Sequence, residues 1–351
     1  MKNNIKTLFV LALFIVGIVA CKQENPEKVG IVLENMDTTV KPTDDFFRHV
    51  NGTWLDNTEI PDDQTSWGGF NQLRKKTDAD VLTILNKAIE ERDFPKVNDA
   101  QGNEIDSDQE KAVNYYERIM DTVSRNKQGK APALPFLAKV DEIATKKDIE
   151  NYITNMAPYG GGGLYGFTVF NDLKNSSMNA GYIFPGELGL SRDYYVDEKV
   201  KDKLEKYQEF VAKMLQEFGD DELTATKNAA TIVGFETRLA SPMMTKEESR
   251  DTRKMYNPMS VEELQKFVPA INWNAYLTGI GVANIDKVIV TDLGYFKAMN
   301  TIFNNTSVEE MKLLLRWNTI NSSLGLLSTD LEKANWDFYS KEMRGAKKQR
   351  P

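Results

Sequence analysis

Amphipathic helical periodicity runs through much of this 351-residue sequence and limits the folds that it can adopt. Between Glu198 and Phe218, apolar side chains recur every three or four residues, with Lys and Glu between them. This spacing places the apolar side chains on one face of a helix, which is then buried against other elements. A further helix is predicted over Glu222–Ala240. The sequence therefore predicts a mainly α fold, a multi-helix lobe whose Met and aromatic stripes form the core.

Three Ser residues, each followed by a Glu three positions later, mark helix starts. In such a capping box, the hydroxyl and the carboxylate accept hydrogen bonds from backbone amides that the first turn leaves free. The pairs are Ser107–Glu110, Ser260–Glu263 and Ser307–Glu310. After the first pair, one apolar stripe is predicted, consisting of Val113, Tyr116, Ile119, Met120 and Val123.

One stretch departs from the helical pattern and predicts a small β-hairpin. The runs Leu164–Phe170 and Ala180–Phe184 are rich in aromatic and β-branched residues, and the polar segment Asn171–Ser177 separates them. Gly160–Gly163 precede the first run. We interpret these glycines as a flexible entry to the hairpin, because the Gly-Lys-Ser/Thr sequence of a phosphate-binding loop does not follow.

The N-terminus has the pattern of an export signal. Lys2 and Lys6 precede the apolar run Leu8–Ala20, which is shorter than the roughly twenty residues of a membrane-spanning helix. The run ends directly before Cys21, and this order resembles a bacterial lipobox, in which the Cys is diacylated and becomes the new N-terminus. We predict an exported bacterial lipoprotein, facing the periplasm or the cell surface, with a membrane anchor on Cys21. An ordinary signal with a chance Cys is the alternative.

The scarcity of metal-ligating side chains limits the sites that the sequence can build. It contains a single His and a single Cys, whereas zinc sites use mainly His and Cys ligands. A self-contained zinc site and an internal disulfide are therefore not expected. The net charge of −8 argues against nucleic acid as a partner, since phosphates require a basic surface. We expect no cofactor in this chain.

The segment Asp44–Leu55, with Pro42 before it, opens an ordered series of specific motifs. It resembles the start of the ectodomain in the neprilysin and endothelin-converting-enzyme family of zinc metallopeptidases, which includes bacterial oligopeptidases. The further blocks that resemble this family are Ile60–Pro61, Ser66–Arg74, Tyr116–Asp121, Pro185–Tyr195, Tyr256–Met259, Asn335–Tyr339 and Gly345. We therefore predict a signal over residues 1–20, a flexible tether over 21–40, and the family's N-terminal helical domain over 41–351.

The resemblance implies a catalytic apparatus that these residues do not contain. Family members bind zinc on a His-Glu-x-x-His helix with a downstream Glu, and the Glu within the motif polarises the bound water. That motif follows the region matched here, so the domain is expected to be truncated before the zinc-binding catalytic domain. The resemblance implies a metalloendopeptidase that hydrolyses oligopeptides, with zinc in the missing domain. This chain is expected to form the chamber wall and to be inactive by itself.

The resemblance also assigns substrate contacts to one early segment. In neprilysin, the matching segment reaches the active site and supplies two Arg and one Asp to the C-terminal side of the substrate. Ser66, Asn71 and Arg74 occupy these positions here, so only the second Arg is kept. Arg74 would bind a carboxylate through its planar guanidinium. A solvated helix charge beside two lysines is the alternative.

Two other hypotheses remain open for the whole chain. One is a stand-alone lipoprotein that binds peptides or glycans for import, and the other is a degenerate fragment that folds poorly. His49 is interpreted as a packing residue rather than a metal ligand. Trp273–Tyr276 is also interpreted as packing, although it contains the letters of the family's substrate-binding Asn-Ala-aromatic motif, which belongs to the missing lobe.

Overall fold

The computed structural model describes residues 30, 32–160 and 163–350. The predicted signal, the predicted lipidation site Cys21 and the first part of the predicted tether lie outside the described residues. The chain divides into two compact units, the first ending at Leu73 and the second beginning at Arg74. Within the described ranges, no helix is long and apolar enough to cross a membrane.

The chain is mainly α-helical, as the periodicity predicts. The α-helices are α1 (Phe46–Asn57), α2 (Gly69–Glu91), α3 (Asp108–Met120), α4 (Thr122–Gln128), α5 (Leu134–Asp141), α6 (Lys146–Met156), α7 (Asp193–Val196), α8 (Lys201–Glu217), α9 (Glu222–Ala240), α10 (Thr252–Met255), α11 (Val261–Phe267), α12 (Trp273–Gly279), α13 (Leu293–Asn305), α14 (Val308–Ser323) and α15 (Thr329–Trp336). Short 3-10 helices cover Leu33–Asn35, Ala131–Ala133, Ala157–Tyr159, Glu198–Val200, Glu248–Arg250 and Leu324–Leu326, and a π-helical turn covers Asp337–Glu342.

The strands are short apart from one hairpin. They are β1 (Val97–Asn98), β2 (Glu104–Ile105), β3 (Tyr165–Asp172), β4 (Asn175–Pro185), β5 (Asn257–Ser260) and β6 (Lys287–Val290). The predicted hairpin is confirmed as β3 and β4, which pair from Tyr165 opposite Pro185 to an irregularity at Asp172. The hairpin belongs to a mixed four-stranded sheet of order β3-β4-β6-β5, in which β4 and β6 are parallel. Val288, Ile289 and Val290 of β6 are fully buried, as expected for a central strand.

The first unit contains α1 and the segment that precedes it. Asp45 caps α1 by accepting a hydrogen bond from the Arg48 amide at 2.8 Å. The Asp37 amide donates to the His49 carbonyl at 2.9 Å, and the Thr53 hydroxyl donates to the Met36 carbonyl at 2.7 Å. The last residues of the predicted tether therefore contact α1. Half-buried His49 places Nδ1 2.7 Å from the Val40 carbonyl.

The motif Asp44–Leu55 requires a glycine at position 52, where α1 packs against the preceding segment. A Cβ built on Gly52 would lie 2.5 Å from the Asp37 Cβ and 3.3 Å from the Arg48 Nε. The helix α1 and the preceding segment approach so closely there that no side chain fits. The Asn-Gly pair of the motif is thus a packing feature of the first unit.

The main hydrophobic core of the second unit lies where α8, α9 and α14 meet. The predicted stripe on α8 is confirmed, because Tyr207, Phe210, Val211, Met214 and Leu215 are all buried. The helix predicted over Glu222–Ala240 is confirmed as α9, which has the same bounds. Trp273 and Tyr276 are buried in the same core, so packing is confirmed for these two residues.

The predicted stripe after Ser107 is only partly right. Val113 is fully buried, but Met120 and Val123 are exposed, at 59% and 79% of their surfaces. The reason is Asp121, which ends α3 and caps α4 by accepting a hydrogen bond from the Ser124 amide at 2.9 Å. The helical period is therefore broken before the stripe is complete.

Arg125 of α4 bonds to a part of the chain that lies about two hundred residues further on in sequence. Its guanidinium donates to the carbonyls of Ile119 and Leu327, both at 2.9 Å, and pairs with the Glu332 carboxylate at 2.7 Å. Its side chain is 10% exposed. The planar guanidinium of this largely desolvated Arg donates several hydrogen bonds at once. These hydrogen bonds order α4 and the chain around residues 327–332 relative to each other.

Candidate functional site

The structure places the three predicted substrate-binding residues before or within the first two turns of α2. Ser66 is exposed and precedes the helix, and Asn71 lies half-buried in its first turn. Ser66 and Asn71 belong to the first unit and Arg74 to the second. The exposed Arg74 Nε lies 3.9 Å from the Asp78 carboxylate, one helical turn away. The shared role of the three residues in substrate binding stays a prediction.

In the second unit, the loop Pro185–Tyr195 is fixed by a buried carboxylate. Glu236 of α9 is fully buried and accepts hydrogen bonds from the Gly189 amide at 2.9 Å, the Tyr195 hydroxyl at 3.0 Å and the Tyr207 hydroxyl at 3.2 Å. Each Tyr hydroxyl itself accepts a hydrogen bond, from the Leu190 amide at 3.0 Å and from the Trp317 indole at 2.7 Å. The directions of all these hydrogen bonds are therefore set.

This network explains the glycine of the loop motif. A Cβ on Gly189 would overlap the Tyr207 hydroxyl. Only glycine lets the backbone amide approach Glu236 beside that phenol. The motif Pro185–Tyr195 therefore has a structural role, because its contacts hold the loop against α8 and α9.

Burial sets the ionisation of this network. Desolvation raises the pKa of Glu236 to about 7, although the hydrogen bonds from Gly189, Tyr195 and Tyr207 lower it. Burial also raises the pKa values of Tyr195 and Tyr207 well above their usual range, so both phenols stay protonated. The carboxyl group of Glu236 therefore changes charge near neutral pH.

Sequence reasoning missed Glu236. The available signal was its place on the buried face of α9, where Ile232, Phe235 and Leu239 are all buried. A charged residue on an apolar stripe is rarely tolerated without fixed hydrogen-bond partners. The partners could not be identified from sequence, because they come from the loop Pro185–Tyr195 and from α8, which are remote from Glu236 in the chain.

A cavity of about 160 Å³ lies between this loop and helix α14. We call it the loop–helix cavity; it is lined by Gly160, by Glu187, Leu188 and Gly189 of the loop, and by Asn318, Thr319, Asn321 and Ser322 of α14. Its volume corresponds to about five water molecules at roughly 30 Å³ each. The polar side chains of the lining are one carboxylate, two carboxamides and two hydroxyls.

Partly buried hydroxyl groups hold the α14 side of the cavity in place. The Tyr152 hydroxyl lies 2.8 Å from Thr319 Oγ1, which donates to the Leu315 carbonyl at 2.9 Å. The Tyr339 hydroxyl donates to Asn321 Oδ1 at 3.0 Å. Because Gly189 is held by Glu236 on the opposite side, both walls of the cavity are pre-organised.

A second polar cluster fixes the end of the hairpin. Asp172 accepts hydrogen bonds from the Lys174 amide at 2.9 Å and the Tyr256 hydroxyl at 2.8 Å, and pairs with Lys287 at 3.2 Å. These contacts lower the pKa of Asp172 to about 2, the Lys174 amide contributing most. The cluster joins the hairpin to β5 and β6.

The described residues do not fit a zinc site. Among them, no group of three or more His, Cys, Asp or Glu side chains is placed to hold a metal ion. The single His makes its contact with a backbone carbonyl. No catalytic step through zinc is derived from these residues.

The fold recurs in solved metallopeptidase structures. The zinc metalloprotease Zmp1 of Mycobacterium tuberculosis, solved in complex with an inhibitor, aligns with a TM-score of 0.80 and 26% identity, over 92% of this chain and 48% of that one. PepO from Lactobacillus rhamnosis has the same fold, with a TM-score of 0.68 and 16% identity, over 89% of this chain and 48% of that one. The fold is thus that of a helical metallopeptidase domain.

The N-terminal model of peptidase family M13 matches residues 42–351, and the chain therefore belongs to that family. It is similar to an endothelin-converting enzyme homolog of Locusta migratoria, at 29% identity over 85% of this chain and 42% of the relative. It is also 28% identical to endothelin-converting enzyme 1 of Mus musculus, over 90% of this chain and 41% of that protein. The chain spans less than half the length of these relatives. The predicted family resemblance is confirmed.

Proposed function

We propose that this chain is the N-terminal helical domain of a neprilysin-like zinc metalloendopeptidase that hydrolyses oligopeptides. The observation that supports the proposal is the family match over residues 42–351, in a chain that covers less than half of its relatives. Catalysis would come from a zinc-binding part outside these residues. This chain would contribute a wall of the reaction chamber, which positions a peptide and excludes water.

An exposed apolar surface on the hairpin supports a contact with such a part. Phe170 on β3 and Met178 on β4 lie on one face of the hairpin and are 61% and 59% exposed. Apolar residues grouped on a surface commonly mark an interaction site. We assign this hairpin surface to the proposed zinc-binding part.

A chimaeric enzyme tests the proposal. Residues 42–351 would replace the matching region of the M. tuberculosis relative, and zinc content, thermal unfolding and cleavage of a fluorogenic peptide would be measured. We expect a folded, zinc-loaded chimaera that cleaves the peptide, whereas residues 22–351 alone cleave nothing. A folded chimaera with one zinc and no cleavage contradicts the proposal, as does zinc-dependent turnover by the isolated chain.

The same chimaera tests the subsite role of Ser66, Asn71 and Arg74. If Arg74 binds a substrate carboxylate, Arg74→Ala should raise KM about tenfold for peptides with a free C-terminus, the loss of one charged hydrogen-bonded contact. A C-terminally amidated peptide should be unaffected. Lys75→Ala is the matched control, and an equal effect of both substitutions would favour the solvated-charge interpretation.

We further propose that Cys21 carries a lipid that anchors the exported protein to a bacterial membrane. The support is the apolar run before the only Cys of the sequence. Radiolabelled palmitate should be incorporated by the native protein and not by Cys21→Ser. A label that persists in Cys21→Ser would exclude lipidation at this residue.

The alternative is a stand-alone lipoprotein that binds peptides or glycans. The pre-organised loop–helix cavity favours it, because a binding module needs only such a site. Reading the nucleotide sequence past codon 351 separates the two hypotheses. A downstream frame with a His-Glu-x-x-His motif supports the peptidase, and its absence supports the binding module.

A further inference from the structure

We propose that the loop–helix cavity binds the cationic group of a basic peptide side chain, a guanidinium or an ammonium. The inference depends on the proposed function in one respect: the proposed function makes a peptide the source of the cationic group. The cavity lies wholly within the second unit.

The lining of the cavity contains a carboxylate and no basic side chain among the described residues. Among the described residues, Glu187 supplies the only ionisable side chain that lines the cavity, and this exposed carboxylate has no hydrogen-bonding or ion-pairing partner there. A carboxylate without a partner beside fixed carboxamide and hydroxyl groups favours a cation over a neutral ligand.

Helix α14 adds further negative electrostatic potential to the cavity. Asn318, Thr319, Asn321 and Ser322 line the cavity and lie in the last two turns of a 16-residue helix. The C-terminal end of a helix carries a partial negative charge, and α14 has no basic residue in its last turn. The nearest cations on α14 are engaged elsewhere: Arg316 pairs with Asp220 at 3.0 Å, and Lys312 donates to the carbonyls of Asp141 and Ile143.

Other ligand classes fit this lining less well. An anion such as a carboxylate or a phosphate would need an Arg or Lys, and neither lines the cavity among the residues that the structure describes. In the same described lining, Leu188 is the only large apolar side chain, and there is no aromatic ring to stack on a sugar. The size of the cavity admits one side chain, whose neighbouring peptide groups can bond to the carboxamides of Asn318 and Asn321.

Paired probes test the inference on residues 22–351. N-acetylargininamide and N-acetylcitrullinamide have nearly the same shape, but only the first is charged. Titration calorimetry should show roughly tenfold tighter binding of the arginine derivative, the combined effect of one carboxylate and one helix terminus. Glucose serves as the probe for a glycan site and should bind more weakly than the arginine derivative.

Two substitutions should change this preference in opposite directions. Glu187→Gln should weaken arginine binding by roughly fivefold, and Asn318→Asp should strengthen it by a similar factor. Glu205→Gln removes the same charge from an exposed position on α8 and should leave binding unchanged. Thermal unfolding of each variant verifies that the fold is intact.

Several results would overturn the inference. They are equal binding of the two probes, no binding of the arginine derivative, tighter binding of glucose, or a response to Glu205→Gln as large as that to Glu187→Gln. None of them bears on peptide cleavage by the chimaera, so the two proposals fail independently.

Discussion

At the residue scale, individual glycines and one buried carboxyl group explain why the family motifs have their sequences. Gly52 and Gly189 lie where a Cβ would overlap a neighbouring side chain. Glu236 collects three hydrogen bonds from the loop and from α8. The motifs that identify the family thus include residues whose first role is packing.

Gly189→Ala should destabilise the second unit strongly. The new Cβ would displace the Tyr207 hydroxyl and break the bond from the Gly189 amide to Glu236, at a cost of about 2–4 kcal/mol in the free energy of unfolding. Gly234→Ala is the matched control, because a Cβ there meets nothing within 4 Å in the middle of α9. It should stabilise by about 0.5–1 kcal/mol. Urea denaturation of both variants measures these changes, and equal midpoints would refute the steric argument.

Glu236 should make stability depend on pH around neutrality. Its pKa is raised by burial to about 7 in the folded chain, above the ordinary value of about 4.3 for the unfolded chain. The folded state therefore retains a proton that the unfolded state releases, and stability falls as pH rises from about 4 through 7. The total loss is on the order of 3 kcal/mol.

Glu236→Gln should remove most of this dependence, because the amide does not titrate. Urea midpoints at pH 5 and pH 8 measure it in the native protein and in the variant. Glu205→Gln, an exposed carboxylate, should retain the native difference between the two pH values. If Glu236→Gln retains it as well, the dependence arises from another group.

At the element scale, the sequence predicts helices better than it predicts their partners. The bounds of α9 and the buried stripe of α8 follow from local spacing, and both halves of the capping box at Ser260 and Glu263 form. At Ser107 and Ser307 the hydroxyl accepts its bond from the third helical amide, as expected. These features depend on neighbours a few residues apart, which a sequence displays directly.

Features that depend on distant residues could not be predicted. The parallel pairing of β4 with β6 joins strands about a hundred residues apart, and β6 is too short to specify a partner by its pattern. The loop–helix cavity also combines residues from two remote segments. Ser66, Asn71 and Arg74 could be named as candidates only because the motif that resembles the family is local, and their role in substrate binding stays a prediction.

The hairpin should loosen when its polar cluster is removed. Tyr256→Phe deletes the hydroxyl that donates to Asp172 at 2.8 Å. Amides at the end of the hairpin should then exchange with solvent about fivefold faster, the effect of losing one hydrogen bond. Hydrogen-exchange mass spectrometry measures this rate. Tyr115→Phe removes an exposed hydroxyl and should have no effect; faster exchange in both variants would mean that the cluster is not the cause.

At the scale of the whole molecule, the core belongs to one of the two units. Every residue of the main buried cluster lies between Ala133 and Met343, within the second unit. A chain that starts at Arg74 should therefore unfold in one cooperative transition, with a Tm within roughly 5 °C of that of residues 22–351. Calorimetry measures this, and a broad transition without cooperativity would show that the first unit is required for folding.

Arg125 also constrains the order in which the protein can be made. Its guanidinium bonds to groups of residues 325, 327 and 332, about two hundred positions downstream. During translation, α4 cannot reach its final attachment until the last of these has left the ribosome. Contacts between such distant residues form late and slow folding, so the attachment of α4 is one of the last steps in which this domain reaches its final structure.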